Sequence, residues 1–389
     1  MTAIANVAIS KKGLQRLRQG FVWIFRSDLD GKTDAEPGAI VKVIDRGNNF
    51  LAYAFYSQSE LALRVLTRED RLPDRAFFGR RLDEAIARRA RYFPKSRDAM
   101  RVVHGEADML PGWLVDRFGD ALVVQSMSLA SDQREPMLIE LLIERFKPRA
   151  VVFRDDGMTR EYEGLDDRKG LAHGTDARAA FHEGEIAFEI DLLADQKTGA
   201  FLDQYENHLL AAEYAKGEAL DLFCYHGGFG LQMAKRAARV TCVDQSELAV
   251  SRVKANAERN GLANVTGVAA NAFDLLREHE QAARRFDTIV IDPPAFAKRK
   301  SAIEAAYRGY KDLNMRAMRC LEPGGILISC SCSAKMTRDL FEEMLIDASR
   351  DAKRRMLILE RRGASRDHPG LAGVPETEYL KCFVLQAVD

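Results

Sequence analysis

Residues able to bind a nucleoside lie at the ends of three predicted strands. The first strand runs into DLFCYHGGFG at residues 221–230, where glycines let the backbone turn tightly and approach a ligand. The second strand ends at Asp244, and an acid there can accept two hydrogen bonds from ribose hydroxyls. The third is followed by Asn271 and Ala272, which are placed to frame an adenine ring. Each residue alone is more simply interpreted as a turn residue, but in this order they predict an adenosine-containing cofactor.

The fourth predicted strand ends in an acid followed by two prolines, in the run Asp292-Pro293-Pro294-Ala295-Phe296. The prolines stiffen the chain at the sheet edge where ligands bind. With this junction the pattern resembles that of class I S-adenosylmethionine-dependent methyltransferases. Those that methylate an adenine amino group usually carry an aromatic residue directly after the prolines, so Ala295 disfavours that subclass.

The candidate cofactor-binding residues therefore come from four consecutive strand ends. They are Asp221, Phe223, Tyr225, Gly227, Asp244, Ser246, Asn271, Ala272 and Asp292. The glycine turn lacks the G-x-G-x-x-G spacing, which disfavours a dinucleotide site without excluding one.

The fifth predicted strand ends in Ser-Cys-Ser-Cys-Ser at residues 329–333. In an extended strand Cys330 and Cys332 face the same side, and Cys332 is nearer the carboxyl end, where the site should open. A buried structural cysteine is the simpler interpretation of a free thiol. The functional interpretation is a nucleophile that adds to C6 of cytosine and makes C5 able to accept a methyl group. Asp292 is the candidate acid beside N3 and N4 of that base.

The order of predicted elements indicates an α/β fold with a mostly parallel, doubly wound, Rossmann-like sheet after residue 186. Strand candidates there alternate with helices such as 246–261, which opens on a Ser N-cap and ends on Gly. Residues 74–185 predict a central α+β module, and residues 1–73 a small β domain of short strands. The predicted domains are thus 1–73, 74–185 and 186–389.

Composition limits the function classes. The 389 residues carry 58 basic and 58 acidic side chains, which speaks against a wholly basic nucleic-acid binder. The first 100 residues hold 19 Lys and Arg against 12 Asp and Glu, an excess of seven positive charges balanced by the rest of the chain. We expect the basic residues of 11–18 and 71–101 to hold RNA, although a solvated helix face is the simpler interpretation.

Targeting, redox and metal signals are weak. The longest charge-free run has 14 residues and the first ten resemble no signal peptide, so a soluble cytoplasmic enzyme is expected. The six cysteines all follow residue 220 and form no C-x-x-C pair, which disfavours a disulfide framework. Neither they nor the seven histidines show zinc-ligand spacing, so no metal is expected.

As a set, several segments resemble the bacterial large-subunit rRNA cytosine-5 methyltransferase I family over nearly the whole chain. They are GFVWIFRSDL (20–29), GEADMLPGWLVDRFGD (105–120), QKTGAFLDQ (196–204), DLFCYHGGFG (221–230), IDPPAFAK (291–298), YRGYKDLNMRAM (307–318), SCSAKMTRDLF (331–341) and DHP…PETEYLK (367–381). The resemblance implies methyl transfer from S-adenosylmethionine to C5 of a cytosine in 23S rRNA, naked or in an assembling particle. It also implies an RNA-binding PUA β-barrel over 1–73, and it leaves a homodimer open.

The resemblance further implies a single catalytic cysteine at Cys332. Other RNA cytosine-5 methyltransferases carry a second one just after the D-P-P-like proline, where this chain has Ala295. The chain departs from the family at Tyr205, where Arg is frequent after Gln204. The sequence does not identify the residue that removes the C5 proton, and Lys311 is the candidate for it.

Three alternatives stay open. An rRNA methyltransferase that alkylates a guanine nitrogen would share the D-P-P-x-F strand end, but it would not need the Ser-Cys-Ser run. A nicotinamide-dependent oxidoreductase is supported only by the glycine turn and Asp244. A non-catalytic RNA-binding assembly factor would not need both the acid and the cysteine.

Overall fold

A computed structural model describes residues 4–157, 160–195, 198–296 and 300–388, except for the side chain of Lys300. Two segments that carry the family resemblance extend beyond these described residues, at positions 196–197 and 297–298. The chain forms two compact units. The first comprises Met1–Phe181, Ile190–Ala200 and Asp367–Thr377, and the second His182–Glu189, Phe201–Arg366 and Glu378–Asp389.

The first unit contains two five-stranded sheets. The N-terminal sheet has the order β1-β3-β4-β5-β2, formed by β1 (Asn6–Ala8), β2 (Trp23–Ile24), β3 (Ile40–Ile44), β4 (Phe50–Tyr56) and β5 (Leu63–Thr67). Helix α1 (Lys11–Arg18) begins after Ser10, whose hydroxyl accepts a hydrogen bond from the Gly13 N–H. This sheet agrees with the short strands that the sequence predicts in the N-terminal part of the chain, where the runs 39–45, 50–56 and 61–66 alternate in the way that is typical of strands.

The second sheet of this unit has the order β10-β9-β8-β7-β6. Its strands are β6 (Ala99–His104), β7 (Trp113–Phe118), β8 (Ala121–Ser126), β9 (Ala150–Asp155) and β10 (Arg168–His173), accompanied by helices α2 (Arg75–Tyr92), α3 (Leu129–Asp132) and α4 (Glu135–Phe146). Apolar side chains of α2 and α4, such as Leu82 and Leu138, pack in one core cluster with Val115 and Trp113 of β7. This cluster also includes Phe55 of β4, so residues on both sides of position 73 share a core. The three-domain division stays a prediction.

A hairpin of β11 (Arg178–Glu183) and β12 (Ile186–Asp191) comes next along the chain. The second unit then alternates helices and strands. They are α5 (Tyr205–Tyr214), β13 (Glu218–Leu222), α6 (Gly228–Met233), β14 (Arg239–Asp244), α7 (Glu247–Arg259), β15 (Val265–Ala269), α8 (Ala272–Gln281), β16 (Phe286–Ile291), α9 (Ile303–Arg319), β17 (Leu321–Ser331), α10 (Arg338–Ala352), β18 (Met356–Arg362) and β19 (Lys381–Ala387).

These strands form one seven-stranded sheet in the order β15-β14-β13-β16-β17-β19-β18. The first five are parallel, and β19 lies antiparallel between β17 and β18. Alternate residues face opposite sides: Ile289 and Ile291 pack with helices α8 to α10, whereas Val290 packs with α5 to α7. The predicted α/β class, with helices on both faces of a mostly parallel sheet, is confirmed.

The connection order reverses at β13. The chain moves outward through β14 and β15, then returns to place β16 on the other side of β13. At such a switch point the loops after neighbouring strands diverge and leave a crevice at the carboxyl ends. The loops after β13, β14, β15, β16 and β17 are those that carry the predicted site residues.

Candidate active site

The turn between β13 and α6 is built around the Asp221 carboxylate. Its Oδ2 accepts a hydrogen bond from the Gly230 N–H at 2.8 Å. A Cβ at position 230 would overlap the Cys242 Sγ and lie 3.0 Å from the Asp221 Oδ2, so the turn can approach this closely only with glycine. The sequence signal of a glycine-rich strand end therefore has a steric cause.

Three predicted cofactor residues in this turn have left-handed backbone conformations. Gly227 has φ 90°, while Phe223 and Tyr225 have φ 64° and 48°. A non-glycine residue in this region costs on the order of 1–3 kcal/mol, and such strain is concentrated at ligand sites and switch regions. The Tyr225 ring stacks on the His226 ring with centroids 3.6 Å apart. The backbone of this turn is thus held in an unusual shape over the crevice.

The Asp221 carboxyl has a pKa close to neutral pH. Its side chain is buried, and burial raises its pKa to about 7. Within the described residues its other oxygen, Oδ1, is buried and accepts no hydrogen bond. A buried carboxylate with an unused acceptor favours a cationic or hydrogen-bond-donating ligand at this position.

Asp244 connects the first two loops. Its Oδ2 accepts a hydrogen bond from the Tyr225 N–H at 3.1 Å, and its Oδ1 accepts one from the Ser246 N–H at 2.9 Å. Ser246 caps α7, as predicted, because its hydroxyl accepts from the Ala249 N–H at 3.2 Å. A carboxylate has about four acceptor positions, so Asp244 keeps capacity for the ribose hydroxyls assigned to it.

Asn271 has a structural task as the N-cap of α8. Its Oδ1 accepts hydrogen bonds from the Phe273 N–H at 2.9 Å and the Asp274 N–H at 3.4 Å. Ala272, the first residue of that helix, is buried. The side-chain carbonyl of Asn271 is therefore committed to the helix, and its contact with an adenine ring stays a prediction.

Asp292 and Cys332 follow neighbouring parallel strands. Ile291 of β16 pairs with Ser329 of β17, so the two chains leave the sheet side by side. All six cysteines lie in the described residues, and Cys332 is the one that is not buried. Cys330 instead packs in the apolar cluster that also contains Val290, and burial raises the pKa of its thiol well above the usual value.

A buried Glu183–His208 pair escapes prediction from the sequence. His208 Nδ1 lies 2.6 Å from Glu183 Oε2, and the imidazole packs against the Phe229 ring with centroids 4.5 Å apart. Burial alone would lower the pKa of His208, but the Glu183 carboxylate raises it above its ordinary value. The resulting imidazolium lowers the pKa of Asp221 and so offsets part of the effect of burial. No local signal marks this pair, because the two residues are 25 positions apart.

Lys311, the guessed proton acceptor, lies on α9 with its Nζ 2.7 Å from Asp351 Oδ2. Its role as a base stays a prediction. Over the described ranges no group of three or more His, Cys, Asp or Glu side chains could hold a metal ion. In those same ranges no helix combines the length and apolar character needed to cross a membrane.

Comparison with known proteins decides the family. Residues 7–68 match a PUA-like domain and residues 215–363 a methyltransferase domain. A ribosomal RNA large subunit methyltransferase I of Tolumonas auensis is 37% identical over 98% of this chain and 99% of its own. The chain belongs to the ribosomal RNA large subunit methyltransferase I family. Its counterpart in Shewanella denitrificans is also 37% identical, over 96% of this chain and 97% of that protein.

A solved structure shares the fold of this chain. A chain described as a candidate methyltransferase complexed with SAH has a TM-score of 0.85 and 19% identity, over 99% of this chain and 100% of its own. The cofactor of this protein is S-adenosylmethionine. The residues present fit this molecule, because the buried, unpaired Asp221 oxygen suits its positively charged groups and the glycine turn gives close backbone access.

Proposed function

We propose that this protein transfers a methyl group from S-adenosylmethionine to C5 of a cytosine in 23S rRNA through a transient Cys332 adduct at C6. The observation that carries the proposal is the position of Cys332. It is the cysteine that is not buried, and it follows β17 directly beside the end of β16, where Asp292 stands. The family assignment supports an rRNA substrate, because the named relatives are ribosomal RNA methyltransferases.

The chain's own residues supply nucleophile, acid and binding contacts. S-adenosylmethionine, when bound, supplies an electrophilic methyl group that the C5 carbon of the activated base attacks. The Cys332 thiolate forms a bond to C6, and the electron pair of the C5–C6 double bond moves onto C5. Asp292 lies beside N3 and N4 and stabilises the adduct. A base then removes the C5 proton, the double bond re-forms, and the thiolate leaves.

The cofactor is held at the strand ends around the switch point. The residues proposed for this are Asp221, Phe223, Tyr225, Gly227, Asp244, Ser246, Asn271, Ala272 and Asp292. The target cytosine must leave its stack to reach the thiol, as base-modifying enzymes require. We propose that the enzyme works in the cytoplasm on rRNA that is free or in an assembling subunit, as a monomer or a homodimer.

Trapping with 5-fluorocytosine tests this function. A fluorine at C5 cannot be removed by a base, so after methyl transfer the enzyme should stay covalently bound to the RNA. We expect 23S rRNA transcripts containing 5-fluorocytosine to give a protein–RNA complex that survives denaturing electrophoresis, only when S-adenosylmethionine is present. Peptide mapping should place the RNA on Cys332.

Unmodified rRNA provides the second half of this test. Mass spectrometry of its nucleosides should show 5-methylcytosine. Methylguanine without any covalent complex would contradict the proposal and favour the guanine-nitrogen alternative. Tight binding of rRNA and S-adenosylmethionine without any product would favour the assembly factor.

The structure divides the basic residues that we expect to hold RNA. Arg89 and Arg97 are buried in ion pairs with Asp108 and Asp367, which leaves their charges inaccessible to RNA. Several others are exposed. Those in this stretch whose side chains face solvent include Arg71, Arg80, Arg91 and Lys95. RNA contacts are therefore proposed only for the exposed set.

Reversing charge at three exposed positions should weaken RNA binding. For Arg80→Glu, Arg91→Glu and Lys95→Glu combined, we expect at least about a tenfold loss of affinity at low salt, because each neutralised phosphate releases a counterion. The slope of log Kd against log salt should become flatter by about 0.7 for each phosphate that the variant no longer neutralises. Arg75→Gln is the matched control, since Arg75 on the same helix already pairs with Glu140 and Glu144. An unchanged slope in the triple variant would exclude this surface.

A further inference from the structure

The two serines that flank Cys332 are both buried and tied to the same tyrosine. Ser331 Oγ donates a hydrogen bond to the Tyr310 hydroxyl at 3.0 Å, and the Tyr310 hydroxyl lies 3.0 Å from Ser333 Oγ. The Ser333 N–H also donates to Ser331 Oγ at 3.3 Å. Tyr310 lies on α9 and is fully buried. The backbone is thus fixed on each side of Cys332, which gives the Ser-Cys-Ser run a structural reason.

A buried lysine completes this arrangement from the neighbouring antiparallel strand. Lys381, the first residue of β19, pairs in register with Ser331 at the end of β17. Its side chain is buried, and its Nζ donates hydrogen bonds to the Ser333 carbonyl and the Tyr379 carbonyl, each at 2.7 Å. In the described part of the chain, no carboxylate lies within ion-pair distance of this ammonium.

Two ionisable side chains act on the charge of Lys381, the Cys332 thiol and Arg338 of α10. Burial lowers the pKa of Lys381 to about 8, while the Cys332 side chain raises it and Arg338 of α10 lowers it. From α9, the hydroxyl of Tyr310 faces the same thiol, and burial raises the pKa of that hydroxyl. A thiolate at Cys332 therefore favours the charged form of Lys381, and the Lys381 ammonium in turn favours the thiolate, because the two opposite charges attract each other.

We propose that Lys381 is a positioning residue for Cys332. Its ammonium fixes the Ser333 backbone after the cysteine and stabilises the thiolate form of the thiol. This proposal deepens the proposed function, because only a nucleophilic Cys332 needs a stabilised thiolate. It also gives a role to Lys381 as the last residue of the PETEYLK segment, which the cofactor-binding and catalytic motifs do not include.

Alkylation of the thiol at different pH values tests the proposal without RNA or cofactor. Iodoacetamide reacts with the thiolate, so the pH midpoint of the rate at Cys332, measured on its peptide by mass spectrometry, reports the thiol pKa. We expect the midpoint in the wild-type protein to lie below about 8.5, the ordinary cysteine value. The other five cysteines are buried and should react slowly. A wild-type midpoint at or above that value would overturn the proposal without the use of any variant.

Lys381→Gln removes the charge and keeps a donor for the Ser333 carbonyl. We expect its midpoint to rise by at least about one unit, which lowers alkylation at pH 7 about tenfold. Lys381→Arg keeps the charge and should stay close to wild type. Circular dichroism and thermal unfolding establish that each variant is folded. A folded Lys381→Gln protein with the wild-type midpoint would refute the role of Lys381.

Methyl transfer separates this proposal from the proposed function. In Lys381→Gln, kcat should fall about tenfold at pH 7 and recover toward pH 9, while the KM for RNA should stay nearly constant. If the protein makes no 5-methylcytosine but its thiol midpoint depends on Lys381, the function is wrong and the positioning role holds. If 5-methylcytosine forms but the midpoint is independent of Lys381, the positioning role is wrong and the function holds.

Discussion

Replacing Cys332 by alanine is expected to abolish methyl transfer to rRNA while leaving S-adenosylmethionine binding intact. Without a thiolate at C6, C5 of cytosine is too weak a nucleophile to accept the methyl group, so the covalent route has no substitute. We expect the rate to fall at least about a thousandfold, the scale on which removal of a nucleophile acts in other enzymes with covalent intermediates. Incorporation of a radioactive methyl group into rRNA measures the loss, and calorimetric titration measures cofactor binding.

Cys330→Ala is the matched control for this variant, because it removes a thiol two residues away. Cys330 packs among apolar side chains such as Ile328 and Val384, so the change should cost on the order of 1 kcal/mol of stability and little activity. The 5-fluorocytosine complex should form with Cys330→Ala and be absent with Cys332→Ala. An active Cys332→Ala protein, or a folded but inactive Cys330→Ala protein, would reverse the choice between the two thiols.

The sequence is sufficient to predict the features that depend on local patterns. Alternating strands and helices in the second half of the chain predict the parallel sheet, and the Ser246 N-cap of α7 follows from residue type alone. Apolar positions at Leu82, Ile86 and Ala90 predict a helix over 80–93, whereas α2 begins at Arg75 because the Asp74 side chain caps it there. Local chemistry thus fixes the order of elements and the strand ends, from which the candidate site follows.

Features that depend on distant partners could not be predicted. In the sequence Arg89 and Arg97 look like surface charges in a basic run. In the structure both donate hydrogen bonds to Asp367, which lies 278 residues from Arg89 and 270 residues from Arg97. Lys381 stands beside Cys332 only because β19 inserts antiparallel between β17 and β18. The sequence pattern predicts neither β18 nor β19. Buried charges are identified by their pairing in three dimensions, which the local sequence does not reveal.

The Asp221→Asn variant is expected to lose most of its affinity for S-adenosylmethionine. The buried carboxylate has an unused oxygen, and the cofactor is a cation, so replacing the charge by a neutral amide of the same shape should cost about a hundredfold in Kd, the scale of a hydrogen bond to a charged group. The amide oxygen can still accept the Gly230 N–H, which keeps the turn. Isothermal titration calorimetry at pH 8 measures the difference.

The pKa of Asp221 determines how cofactor affinity should change with pH. The pKa of Asp221 is about 7, so in wild-type protein the carboxyl is protonated below pH 7 and cannot attract a cation. Cofactor affinity should therefore weaken as pH falls through 7, by up to about tenfold per unit, and this dependence should vanish in Asp221→Asn. Asp244→Asn is the matched control: its carboxylate accepts the N–H groups of Tyr225 and Ser246, so the variant should bind more weakly but keep the wild-type pH dependence.

The stability of the folded protein should change with pH in the opposite direction to cofactor affinity. Unfolding therefore cannot explain weaker cofactor binding by Asp221→Asn. The pKa of Asp221 is raised in the folded protein, so the unfolded chain loses this proton at lower pH and folding becomes less favourable as pH rises from about 4 to 7. Above pH 7 the folded protein carries a buried charge that Asp221→Asn lacks. The variant should then unfold at a higher temperature than wild type at pH 8 and bind cofactor far more weakly. An Asp221→Asn protein that keeps wild-type affinity would remove Asp221 from the cofactor site.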